Sequence, residues 1–119
     1  MYNLKHIPAE KEALQADNQR IGSIKHFLSQ NLAADLHAGT VAKKFKLSVS
    51  ALLHIFKKQQ GQPYRKYVEQ LRMNRALELI QIQGIRIKEV MYATGYANRA
   101  AFNKAFKKKY KRPPGYYKK

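Results

Sequence analysis

Cysteine is absent from the 119-residue chain, which excludes disulfides, zinc fingers of the cysteine type and thiol catalysis. Long apolar runs are absent too, and nothing approaches the roughly 18 residues needed to cross a bilayer. The N-terminus lacks the continuous apolar stretch of a signal peptide, because Lys5, His6, Pro8 and Glu10 interrupt it. These absences predict a cytoplasmic protein without a membrane partner. His6, His26, His37 and His54 are scattered along the chain. No phosphate-cradling glycine loop and no close His/Asp/Glu cluster accompanies them. The sequence therefore offers no catalytic residue, no metal site and no cofactor.

Acidic residues are few. Glu10, Glu12, Asp17, Asp35, Glu69, Glu78 and Glu89 face 24 lysines and arginines, for a formal net charge of +17. Such a self-repelling surface implies a polyanionic partner. No acid follows Glu89, whereas Arg99, Lys104, Lys107, Lys108, Lys109, Lys111, Arg112, Lys118 and Lys119 do. These cations are interleaved with Tyr, Phe and Ala. Phe102 and Phe106 stand four apart, as one helix face requires. A folded cation-bearing helix fits better than a solvated tail.

Residues 1–19 show weak periodicity and read as a lead-in or linker. Ile21, Ile24, Leu28 and Leu32 then recur at helical steps, predicting a helix to about Ala33. Leu36–Phe45 reads as a short helix with Val41, Ala42 and Phe45 inward. Ser48 caps a helix from Val49 to Gln60, which Gly61 ends. A long helix follows over 63–81, with Tyr67, Val68, Leu71, Leu79 and Ile80 inward, and Gly84 breaks the chain. Ile87–Thr94 is short, Asn98 caps a helix to about Tyr110, Pro113 and Pro114 stop it, and a last turn forms around Tyr116 and Tyr117. Tyr64, Tyr67, Tyr92 and Tyr96 are expected to pack between helices. No segment alternates with period two long enough to predict a strand, so the chain is all-α.

Two segments repeat. Val41-Ala42 and Lys46-Leu47 match Val90-Met91 and Gly95-Tyr96 at an offset of 49. One extra turn residue then makes the offset 50, pairing Ser48 with Asn98, Leu52 with Phe102, Phe56-Lys57-Lys58 with Phe106-Lys107-Lys108, and Tyr67 with Tyr117. Each copy reads as short helix, tight turn, cap and longer helix, the outline of a helix-turn-helix. The chain thus divides into a first subdomain over 20–62, a linker helix over 63–83 and a second subdomain over 84–119. A linker of about 18 residues spans roughly 27 Å, enough to hold two recognition helices about one DNA turn, some 34 Å, apart.

Within each recognition helix, Leu52 and Phe56 or Phe102 and Phe106 face inward. Ser50, Leu53 and His54 in the first copy, and Ala100, Asn103 and Lys104 in the second, then point outward, with Arg99 in the first turn. Arg99 and Lys104 can donate to guanine, Asn103 can pair with adenine, and Leu53 can meet a thymine methyl group. The second copy carries more of the hydrogen-bonding capacity. Lys43, Lys44, Lys57, Lys58, Lys107 and Lys108 flank these helices as candidate phosphate contacts, although Lys104 fits a phosphate contact about as well as a base contact.

The Leu47-Ser48, Leu52, Phe56-Lys57 and Gly61 of the first copy, the Leu71-Arg72-Met73 and Arg75-Ala76 of the linker, and the Ile87-Lys88-Glu89-Val90, Gly95-Tyr96, Phe102, Phe106-Lys107-Lys108, Pro114 and Tyr117-Lys118 of the second copy together resemble the DNA-binding domain of AraC/XylS-type transcription regulators. The resemblance covers about residues 20 to 118. It implies about seven helices in two homeodomain-like helix-turn-helix subdomains, and base-facing roles for the same outward positions. Double-stranded DNA is the implied partner, with RNA polymerase a second candidate, in a cytoplasmic, nucleoid-associated setting. Family members commonly carry a sensor or effector domain, for which the roughly 20 residues before the first helix are too few. Either a domain lies N-terminal to this chain, or the protein is a stand-alone regulator controlled by abundance.

Several residues depart from the family pattern. Met91 replaces a small residue, and Ala101 or Ala105 is expected to accommodate it. Lys111 replaces a terminal glycine, so a left-handed conformation there would be strained. His37 and Arg86 stand at helix N-caps, where a cation opposes the dipole by about 0.3–1 kcal/mol, which nominates Arg86 for a phosphate contact. A non-specific architectural DNA-binding protein is the competing reading, since charge alone supplies non-specific affinity. It would need neither capped recognition helices nor Arg and Asn on their outward faces. RNA fits less well, because its deep, narrow major groove does not admit these helices.

Overall fold

Ala9–Gln30 form one continuous helix, α1, in the computed structural model, which describes residues 9–119, with side chains from residue 15 onward. The lead-in expected over 1–19 is corrected by this helix, and residues 1–8 lie outside the described residues. The segment from 9 to 19 is rich in Ala, Glu, Lys, Leu and Gln. Propensity therefore extends the helix where apolar periodicity is missing. Ile21, Ile24 and Leu28 are buried as their spacing predicts. The helix stops short of Ala33 because Asn31 turns back, its side-chain amide donating to the Phe27 carbonyl at 2.8 Å.

Six further helices follow, namely α2 (Ala38–Lys44), α3 (Val49–Gln60), α4 (Tyr64–Ile80), α5 (Ile87–Ala93), α6 (Arg99–Tyr110) and α7 (Pro114–Tyr117). No strand occurs among the described residues, and the all-α, two-subdomain architecture is the one expected. The helices bury two separate cores. Ile21, Ile24, Leu28, Val41, Leu52 and Phe56 fill the first, and Val90, Met91, Phe102 and Phe106 fill the second. Helix α4 belongs to both. Its Tyr64 and Val68 complete the first core, while Met73, Ala76, Leu79 and Ile80 complete the second.

The repeat is reproduced bond for bond. The N–H of Leu47 donates to the Ala42 carbonyl at 2.8 Å, and that of Tyr96 to the Met91 carbonyl at 3.0 Å. Both bonds close turns through a residue of positive φ, Lys46 at 58° and Gly95 at 89°. Tyr67 packs edge-on against Phe56 at 5.2 Å, as Tyr117 does against Phe106 at 5.8 Å. Three expectations need correction. Tyr92 is 52% exposed, with the Lys88 ammonium 6.0 Å from its ring, so it packs no helix interface. Of the two alanines expected to accommodate Met91, Ala101 is exposed and only Ala105 packs against the second core. Tyr67 and Leu71 are half-buried, whereas Met73 and Ala76, which the pattern leaves out, are buried.

Buried and half-buried tyrosines tie the helices by their hydroxyls. Tyr64 donates to the Leu36 carbonyl at 2.9 Å, and desolvation pushes its pKa up to about 12. Tyr110 and Tyr117 donate to the carbonyls of Met73 and Tyr110.

The His37 side chain makes no capping bond for α2; Asp35 supplies the anchoring instead. Its carboxylate accepts the His37 backbone N–H at 3.0 Å and the Thr40 hydroxyl at 3.0 Å, and lies 2.7 Å from the His37 ring nitrogen. These contacts, the backbone N–H foremost, hold its pKa down at about 2. A lowered carboxyl pKa stabilises the fold above the unfolded value, and the contribution is lost as pH falls from 3.8 to about 2. Asp35→Ala is therefore expected to lower Tm at neutral pH. Its deficit relative to the parent chain should shrink as thermal melts are repeated down to about pH 2; a constant deficit would assign the loss to something other than the carboxylate.

Candidate nucleic-acid interface

Helices α3 and α6 are held at both ends by matching devices. Ser48 Oγ accepts the Ala51 N–H at 3.0 Å, and Asn98 Oδ1 accepts the Ala101 N–H at 3.0 Å. At their C-termini, Gly61 and Lys111 adopt left-handed φ values of 69° and 68°, donating to the carbonyls of Lys57 and Lys107. Lys111 thus takes up the strained conformation despite its Cβ, and its ammonium donates to the Lys108 carbonyl at 3.1 Å. Helix α6 thus ends as α3 does.

Between these caps, burial fixes which face looks out. Leu52, Phe56, Phe102 and Phe106 are fully buried. The opposite faces carry Ser50, Leu53 and His54 on α3, and Arg99, Ala100, Asn103 and Lys104 on α6, every one exposed. Val49 is also exposed, at 43%, and was missed by the outward-face reading. The offset of 50 would have found it, since it is the counterpart of Arg99. The first copy thus presents an apolar pair, Val49 and Leu53, where the second presents Arg99 and Asn103.

The flanking cations Lys43, Lys44, Lys57, Lys58, Lys107 and Lys108 are exposed. Lys44 also leans over the Phe27 ring at 4.9 Å. Arg86 is exposed at the start of α5, where its backbone N–H donates to Glu89 Oε1 at 3.2 Å. That half of a capping box leaves its guanidinium free of the helix end. Among the described residues one Arg–carboxylate ion pair forms, Arg75–Glu78, beside the Asp35–His37 hydrogen-bonded contact. Among the described residues, none of the cations on or beside α3 and α6 pairs with a carboxylate. No group of three or more His, Asp or Glu side chains able to hold a metal occurs among the described residues.

The sequence profile of a helix-turn-helix domain family matches residues 41–119. The Msm operon regulatory protein of Streptococcus mutans is 27% identical over 118 residues, which are 99% of this chain and 41% of that protein. The chain therefore spans about two-fifths of that relative. Among solved structures, the C-terminal domain of the two-component response regulator yesN from Fusobacterium nucleatum has a TM-score of 0.80 at 24% identity, over 85% of this chain and 99% of that one. The DNA-binding domain of AdpA, solved with a target DNA, has a TM-score of 0.77 at 16% identity, over 82% and 88%. At these identities both structures show the shared fold.

The left-handed Lys111 gives a direct stability test. Lys111→Gly is expected to stabilise the chain by about 0.5–1 kcal/mol in urea unfolding, since relief of a left-handed penalty of ~1–2 kcal/mol is partly offset by the entropy that glycine adds to the unfolded chain. A destabilised variant would mean that the bond from the Lys111 ammonium to Lys108 matters more than the backbone strain.

Proposed function

The chain belongs to the AraC-type family of helix-turn-helix DNA-binding domains of transcription regulators, and on that premise we propose that it binds double-stranded DNA sequence-specifically, with α3 and α6 in successive major grooves. The family is not an enzyme class. The observation that carries the proposal is the pairing of two capped helices, each with a fully buried inner face and an exposed outer face, among cations that no carboxylate of the described residues neutralises. The helix caps cost nothing in DNA affinity and orient the outer faces before binding. The 17-residue α4 gives a strut of about 26 Å between the two units.

In this reading Arg99 and Lys104 donate to guanine O6/N7, and Asn103 pairs with adenine N6/N7. Val49, Leu53 and Ala100 meet thymine methyl groups, while Ser50 and His54 add weaker hydrogen bonds. Lys43, Lys44, Lys57, Lys58, Arg86, Lys107 and Lys108 hold phosphates and set the register. RNA polymerase and a sensor or effector domain N-terminal to this chain complete the proposed partners, in a cytoplasmic, nucleoid-associated role.

Selection from random duplexes tests the proposal. The expected product is two short boxes about one helical turn apart, and a ratio of specific to random-DNA affinity near one would sink it. Arg99→Ala should relax preference at one base position and cost about 1–3 kcal/mol there. Lys107→Ala and Lys108→Ala should instead weaken all sequences alike, each lowering the slope of log affinity against log salt by about 0.9. Arg86→Ala is expected to behave like these lysines; an unchanged salt slope would remove it from the interface.

A further inference from the structure

The two cores are separate, and the helices of each unit pack among themselves and on α4. Helix α4 passes from one core to the other between Val68 and Met73. Arg72 stands at that changeover. Its Nε donates to the Leu32 carbonyl at 3.3 Å and its Nη2 to the Ala34 carbonyl at 3.1 Å, both in the loop between α1 and α2. The same guanidinium lies 5.9 Å from the centre of the Tyr96 ring, in the turn of the second unit. Neighbouring Gly95 leaves no space: a Cβ there would run into the Leu32 carbonyl oxygen and come within 2.8 Å of Arg72 Nη2. One side chain of α4 therefore holds the first unit's loop against the second unit's turn. The cleft it occupies is also lined by Leu53 of the first recognition helix.

We infer that Arg72, seated against Gly95, is a positioning residue that fixes the distance and rotation between the two recognition helices, and so restricts the protein to one spacing between its two DNA boxes. This rests on the two-box reading proposed above. Helices are rarely straight and can curve along their length, and at the changeover of α4 the side chain of Arg72 reaches both units. The fork from Arg72 to the Leu32 and Ala34 carbonyls of one loop opposes such bending, and the planar guanidinium does so in a geometry that an ammonium cannot copy. Inserting one base pair moves a box by about 3.4 Å along the axis and rotates it by about a tenth of a turn. A locked junction cannot follow both changes. An unlocked one follows them by flexing α4.

The test measures affinities of the full chain for duplexes carrying the selected boxes with spacers changed by one base pair in either direction. The parent chain should prefer one spacer by about tenfold, the discrimination typical of a single mismatch. Arg72→Ala and Gly95→Ala should bring the three spacers within about threefold of one another, leaving base preferences inside each box unchanged. Arg72→Lys, which keeps the charge and stem, should fall between, and it remains informative if Arg72→Ala fails to fold. Ile24→Val, a core change away from the junction, serves as the stability control and should keep the parent spacing. If the Arg72 and Gly95 variants lose thermal stability as Ile24→Val does but keep the parent spacing, the residues are merely structural and the inference is overturned. If the parent chain itself selects a single box, the two-box reading falls, and this inference with it.

Discussion

One helix serving two hydrophobic cores is the constraint on which the rest of this molecule depends. With Tyr64 and Val68 in one core and Met73 to Ile80 in the other, the rotational phase of α4 dictates how the two units face each other. Each residue of an α-helix turns the chain by a fixed increment, so the first and second cores cannot be oriented independently. The hydroxyl of Tyr64 on Leu36 and that of Tyr110 on Met73 brace the same helix from both units. Hydroxyls held this way leave an unsatisfied donor if the partner is lost.

Charge and packing are kept apart in space. The cores are apolar except for Thr94, whose hydroxyl is satisfied by the Val90 and Met91 carbonyls, and no buried side-chain polar atom among the described residues lacks a partner. The excess of cations lies outside, mostly without carboxylate neighbours, where water screens it in the free protein. The same excess is released from that screening when a polyanion replaces the water and counterions. Stability therefore rests on residues apart from the cations proposed to set affinity.

Much of this was legible in the sequence because the signals were local or repeated. Ser48, Asn98 and Gly61 mark helix ends by their own backbone chemistry, and the offsets of 49 and 50 align two copies without any knowledge of their packing. The outward faces of α3 and α6 followed from helical geometry alone. What was not legible depended on contacts between distant segments or on propensity without pattern. The early start of α1 has no apolar stripe to announce it. Asp35 anchoring α2 from outside the helix, and the conformation of Lys111, are decided by neighbours in space. Arg72 enters the sequence reading only as part of the linker motif Leu71-Arg72-Met73. Its role appears only when the chain brings Leu32, Ala34 and Gly95 around it.

In the proposed two-groove mode, the shared strut also governs how long a complex lasts. When one head is seated, α4 presents the other at a fixed place, so its rebinding becomes an intramolecular event with a high effective concentration, reached without a second chain. Dissociation then requires both heads to be off at once, and either can return before the other leaves. In that mode a single chain would obtain a residence time that other helix-turn-helix proteins reach by dimerising.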